Sequence, residues 1–219
     1  MKVLIFITGY RHLEEYNYFS KFLNMLQLKN IANIFIYCNN PHISSEIVKY
    51  YQQFQQTNKH LFITSLNNGH RTGGVEAVSQ AIDMGIFQEY DYVIHVHPDV
   101  FITDDAYLTK VMLENLENDI VFFITKSDPN DPTFFSFDFF MFKPKLLKTN
   151  IFSEGLYSFQ ECPEHYLHNM IMKNNIPYTL IQRYNNNTWY PRRVDDHLKM
   201  YHEHDLTKVQ ALLDEMTRG

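Results

Sequence analysis

Apolar positions along this chain follow two rhythms that take turns. Short, nearly continuous hydrophobic runs at 3–8, 33–38, 61–65, 91–96 and 119–125 have the length and the β-branched and aromatic content of buried strands. Between them apolar residues recur at helical spacing. Tyr16, Phe19, Leu23 and Leu26 mark one helix, and Ile43, Ile47, Val48, Tyr51 and Phe54 a second. Val75, Val78, Ile82 and Ile86 mark a third, and the segment 107–116 a fourth. Strands alternating with helices predict an α/β fold, with a mostly parallel central sheet flanked by helices. The second half departs from this rhythm. Residues 134–142 are an almost unbroken aromatic run, expected as a strand, followed by a helix over 164–174 and a strand over 178–182. A polar, Asn-rich loop covers 183–197. The segment 205–217 then reads as an amphipathic helix with Asp205 as N-cap and Leu206, Val209, Leu212, Leu213 and Met216 as its buried stripe. No internal repeat or Gly/Ser linker interrupts the chain, so a single domain over 1–219 is expected.

Composition narrows the class. Of 219 residues, 45% are hydrophobic and 20% charged, as in a globular protein. The net charge of −6, with scattered Lys and Arg, argues against nucleic acid as the main partner. No apolar run approaches the ~20 residues of a transmembrane helix. The first apolar run is too short for a signal-peptide core and reads as a strand. Cys38 and Cys162 form neither a ligand pair nor a disulfide framework, so a cytoplasmic setting is expected.

Two segments carry candidate chemistry. The strand Tyr92-Val93-Ile94-His95-Val96 runs into His97-Pro98-Asp99. In extended backbone, residues two apart point the same way, so His97 and Asp99 would meet a ligand together. In open α/β sheets, ligands bind at that end of the strands. Pro98-Asp99 equally suits a chain reversal. The second segment, Asn68-Gly69-His70-Arg71-Thr72-Gly73-Gly74, joins a strand to a helix. Its glycines would allow close approach of a ligand to the backbone, and a guanidinium there suits phosphate recognition. It lacks the spacing of the dinucleotide fingerprint and the Gly-Lys-Ser/Thr of nucleotide hydrolases.

Taken in order, these parts resemble a nucleotide-sugar-dependent glycosyltransferase of the GT-A type, nearest the family-two-like enzymes, over residues 1 to about 205. The resemblance implies a nucleotide-sugar-binding half, 1–104, and an acceptor-binding half with the last helix, 105–219. It implies donor contacts at Thr8, Gly9, Tyr10, Asn39, Asn68, Gly69, Arg71, Gly74, His97 and Asp99. His97-Pro98-Asp99 stands where the family carries Asp-x-Asp, so the first acid is replaced by an imidazole. A divalent cation is implied at His97 and Asp99, with a late histidine, His202 or His204, reaching back to it. Imidazole favours Mn²⁺ over Mg²⁺. The Glu-Asp motif of inverting members is matched by Glu164-His165, which makes Glu164 the candidate base, with His165 and Glu161 behind it and Asp138 as a further catalytic candidate. Trp189 and Tyr190 are candidates for stacking on an acceptor sugar, and Arg192 or Arg193 for closing over the diphosphate.

The activity implied is transfer of a sugar from a UDP- or dTDP-linked donor to a hydroxyl of a glycan or related acceptor, with inversion favoured by the resemblance. Other readings stay open. The replaced acids at His97 and His165 suit a nucleotide-sugar-binding protein without turnover. A nucleotidyltransferase would share the fold but generally carries a Gly-rich basic loop after the first strand, which Thr8-Gly9-Tyr10-Arg11-His12 lacks. A metal-dependent hydrolase built on His95, His97 and Asp99 would need further ligands, and no helical His-x-x-x-His pair supplies them.

Overall fold

The computed structural model describes residues 1–9, 13–56, 58–65, 69–114, 120–124, 135–146, 150–182 and 199–218, with the side chains of 70, 71, 121–124, 146 and 182 left out of the description. The expected α/β architecture is present. Strands β1 (Val3–Gly9), β2 (Ala32–Cys38), β3 (Lys59–Ile63) and β4 (Tyr92–Val96) lie parallel in the order β3-β2-β1-β4. The sheet continues through β7 (Phe139–Phe142), β6 (Ile120–Ile124) and β8 (Tyr178–Gln182) to seven strands. Only β7 is reversed, running antiparallel to both β4 and β6, while β8 is parallel to β6. A second sheet pairs two short strands antiparallel, β5 (Val100–Ile102) and β9 (Met200–His202).

The central strands are buried along their whole length because both faces of the sheet are covered, which is why they read as continuous hydrophobic runs. One face packs Ile5, Ile7, Ile94 and Val96 against helices α1 (Leu13–Met25), α3 (Ser44–Tyr51), α5 (Ala106–Glu114) and α7 (Leu206–Arg218). The four-residue helix α2 (Leu28–Ile31) leads into β2, its Leu28 N–H held by the buried Asp105 carboxylate at 2.6 Å. The other face packs Leu4, Phe6, Phe35 and Val93 against α4 (His70–Asp83) and α6 (Pro163–Lys173).

Two expectations change. The aromatic run does not form one strand: pairing begins at Phe139, opposite Val96, so Asp138 sits just before β7 and its facing is not set by sheet alternation. Nor does the extended geometry of β4 reach Asp99. Strand β4 stops at Val96, and residues 97–100 form a turn closed by the Val100 N–H donating to His97 O at 3.1 Å. The chain reversal suited to Pro98-Asp99 is therefore real, and it delivers Asp99 to the start of β5.

Candidate active site at the C-terminal edge of the sheet

The floor of the site is made where β1, β2 and β4 end. Thr8 Oγ1 lies 2.9 Å from His95 Nε2, and both groups are buried. The His95 ring stacks on Phe140 with centroids 4.5 Å apart. Burial, reinforced by the neighbouring His97, holds its pKa well below the usual histidine value, so His95 is a neutral floor residue. Gly9 ends β1 directly over Tyr16: a Cβ there would stand 1.9 Å from Tyr16 Oη. Asn39 receives a tether from each side, its N–H donating to Gly9 O at 3.2 Å and its Nδ2 to Gly69 O at 3.4 Å. Gly69 precedes α4 with φ +75°, a left-handed conformation that glycine adopts without strain. A Cβ at Gly73 would meet Asn39 Nδ2 at 1.8 Å, and one at Gly74 would meet the Phe137 ring at 2.7 Å. The small residues thus let the N-terminus of α4 lie against the ends of the strands.

Asp99 is the centre of the polar cluster. The β5–β9 register sets Val100 opposite His202, and the Glu203 N–H donates to Asp99 O at 3.2 Å, so the chain returns beside Asp99 after about a hundred residues. His202 Nε2 and His204 Nδ1 each lie 3.3 Å from Asp99 Oδ2. The other face of the His202 ring edge, Nδ1, lies 2.9 Å from Asp138 Oδ2. Burial alone would raise the Asp99 pKa, but the charge and hydrogen bond of His202, aided by His97 and His204, hold it well below the usual carboxylate range. Burial would lower His202, but Asp99 and Asp138 overcome it and raise the ring to about 9.

These groups suit a divalent cation. Asp99, His202 and His204 each offer one donor atom, all within 4.8 Å of one another. Asp99 Oδ1 is buried and has no hydrogen-bond partner, so the carboxylate retains an unspent oxygen. An imidazole pair with one carboxylate is a donor set that can hold a divalent cation. Both late histidines reach Asp99, where the sequence pointed to one of two. His97 stays outside this group of three; its ring packs on Phe137 and His95 at centroid distances of 5.7 and 5.5 Å.

Glu164 stands in the first turn of α6, after Pro163 and the extended Cys162. Its pKa is raised by burial, with the nearby Asp138 charge adding to the effect. Asp138 thus contacts His202 of the Asp99 cluster and is near enough to Glu164 for its charge to be felt there. His165 adjoins Glu164 on the same helix. Glu161 is occupied elsewhere, both carboxylate oxygens accepting from Asn169 Nδ2 at 3.1 and 3.0 Å. Tyr10, Asn68, Trp189, Tyr190, Arg192 and Arg193 lie outside the described residues, as does the side chain of Arg71. Sequence reasoning missed the Asp138–His202 contact; the one signal for it was a lone carboxylate inside an aromatic run.

No protein-family model matches the sequence, and no curated protein matches it either. Solved structures do match in fold. A mannosyltransferase from Pyrobaculum calidifontis, in complex with GDP-Man and Mn²⁺, superposes with a TM-score of 0.58 at 12% identity over 84% of this chain and 55% of that one. TarS residues 1–349 from S. aureus superposes with a TM-score of 0.62 at 13% identity, over 99% of this chain and 65% of that one. This chain therefore spans somewhat over half the length of those two solved chains. The 4-diphosphocytidyl-2C-methyl-D-erythritol synthase of Anaerococcus prevotii matches at a TM-score of 0.60 and 9% identity, over 99% and 96% of the two chains. The fold is the GT-A fold of nucleotide-diphospho-sugar transferases. No helix among the described residues is long and apolar enough to cross a membrane.

Proposed function

We propose that this chain is a metal-assisted glycosyltransferase that moves a sugar from a nucleoside-diphosphate donor to a hydroxyl acceptor. The observation that carries the reading is the Asp99–His202–His204 group at the C-terminal edge of a GT-A sheet, with the half-buried Glu164 close enough to Asp138 to feel its charge. The donor is of the UDP or dTDP type. Its nucleoside lies over the ends of β1 and β2, at Thr8, Gly9, Tyr10 and Asn39, in the half formed by 1–104. Its diphosphate faces the cation and the N-terminus of α4, whose unpaired N–H groups and dipole favour an anion. Asn68, Gly69, Arg71 and Gly74 belong to that approach.

Asp99, His202 and His204 would hold the cation, with His97 flanking it. When bound, Mn²⁺ would neutralise the charge that builds on the leaving diphosphate. The chain's own residues do the rest. Glu164 takes the proton of the acceptor hydroxyl as its oxygen bonds to the anomeric carbon and the bond to the diphosphate breaks. A carboxylate raised by burial is a better proton acceptor near neutral pH than an exposed one. His165 flanks Glu164, and Trp189 and Tyr190 offer stacking surfaces for a sugar acceptor bound by the half 105–219.

Calorimetric titration of UDP, dTDP and GDP, each with and without Mn²⁺, tests the reading. Mn²⁺-dependent binding of one diphosphate, lost in Asp99→Asn, is expected. Absence of binding to all three would overturn it. Binding without sugar transfer would support the binding-protein alternative, and pyrophosphate release from a nucleoside triphosphate would support a nucleotidyltransferase.

A further inference from the structure

We infer that Asp138 is a positioning residue: it fixes the ring of His202 and supplies the second negative charge that a divalent cation needs at this site. The inference rests on the metal-binding reading above. Four contacts carry it. Ser136 Oγ donates to Asp138 Oδ1, and the His97 N–H donates to Asp138 O at 2.9 Å, so both ends of Asp138 are pinned before β7 begins. Asp138 Oδ2 is left facing His202 Nδ1 at 2.9 Å, while His202 Nε2 faces Asp99 Oδ2 at 3.3 Å. Both side chains are largely enclosed, 16% exposed for His202 and 14% for Asp138.

The chemistry follows from the two ring nitrogens. An imidazole that ligates through one nitrogen carries its proton on the other, and a carboxylate accepting that proton fixes the tautomer and makes the ligating nitrogen more basic. Asp138 occupies the position for this at Nδ1, which directs the Nε2 lone pair toward the cation. Its own oxygens are engaged by Ser136 and His202, so it acts through the histidine instead of binding the ion or taking the acceptor's proton. This assigns it a different role from the catalytic one expected from sequence. It also answers the replacement of an acid by His97. Asp99 alone would set one negative charge against a dication; Asp138, one imidazole further out, makes two.

The test uses Mn²⁺ alone as the probe. Its affinity is measured by electron paramagnetic resonance for the wild-type chain, Asp138→Ala, Asp138→Asn and Ser136→Ala, with circular dichroism to verify folding. Asp138→Ala is expected to weaken Mn²⁺ binding by about 10–100-fold, the usual effect of removing such a partner. Asp138→Asn, which keeps an acceptor but loses the charge, is expected to fall between it and wild type. Ser136→Ala should lose less than Asp138→Ala. Histidine ¹⁵N spectra of the Zn²⁺-loaded wild-type chain should show His202 protonated at Nδ1 and ligating through Nε2. Wild-type Mn²⁺ binding with folded Asp138 variants within about twofold of it overturns this inference and leaves the proposed function standing. Ligation through Nδ1 overturns it even where the variants do not fold. Failure of the wild-type chain to bind Mn²⁺ at all removes both.

Discussion

At the scale of single residues, the site alternates acid, imidazole and acid through Asp99, His202 and Asp138, and the Asp138 charge acts in turn on Glu164. Removing the carboxylate proposed to accept the proton, while keeping its shape, separates chemistry from binding. Glu164→Gln is expected to leave donor binding within about twofold and to lower turnover by about 10²–10⁴-fold. Steady-state transfer assays beside calorimetry of the diphosphate check it, and full turnover in the variant would move the base elsewhere. Part of this arrangement was legible residue by residue. Asp99 stood out as a carboxylate after an apolar strand, whereas the late histidines and Glu164 were indicated only by the resemblance to GT-A glycosyltransferases; the fold brings both histidines to Asp99. The partnership of Asp138 with His202 was not legible, because 64 residues separate them in sequence and only the folded chain brings them within hydrogen-bonding distance.

At the scale of elements, periodicity located what is long and buried and passed over what is short. Strand β8 and helix α7 lie where their apolar patterns put them. β5 and β9 are three residues each, too brief for any period to register, yet their pairing brings His202 to Asp99. The aromatic run read as one long strand because hydrophobicity does not reveal where backbone pairing begins. The reversed direction of β7 was hidden for a related reason: strand–helix alternation announces parallel strands, and a run of aromatics carries no sign of direction. The junction of β1 and α1 gives an element-level prediction. Gly9→Ala would drive a methyl into Tyr16 at 1.9 Å, and is expected to destabilise the fold by about 1–3 kcal/mol. Pairing it with Tyr16→Phe should recover part of the loss, since Tyr16 Oη is buried and unpartnered. Urea unfolding of the single and double variants measures both. Additive losses would mean that the two residues do not collide.

At the scale of the whole molecule, the proposed cation site would couple binding to folding, because its candidate ligands lie about a hundred residues apart in the chain. A cation that binds only the folded form adds about 2.7 kcal/mol at a hundredfold excess over its dissociation constant. For a chain of this size that corresponds to a rise in Tm of roughly 5–11 °C. The increment should depend on pH with a definite sign. His202 is raised from its ordinary value to about 9, so without metal its contribution to stability is complete below about 6.5 and is lost as pH rises through 9. Metal must displace a ring proton, so the Mn²⁺ increment should grow over the same interval. Thermal melts with and without Mn²⁺ between pH 6 and pH 9 check both trends; an increment that shrinks with pH would exclude His202 as a ligand.

The 103-residue separation of Asp99 and His202 also has a consequence for synthesis. At about 5–20 residues per second, a ribosome needs roughly 5–20 s to travel from one to the other. During that interval the nascent chain already contains β1 to β4 and the Gly69 turn, but neither histidine that completes the cluster. On the proposed reading, a half-made copy presents the nucleoside side of the cleft before it can hold the cation, and the cation site closes only once His202 and His204 have been translated.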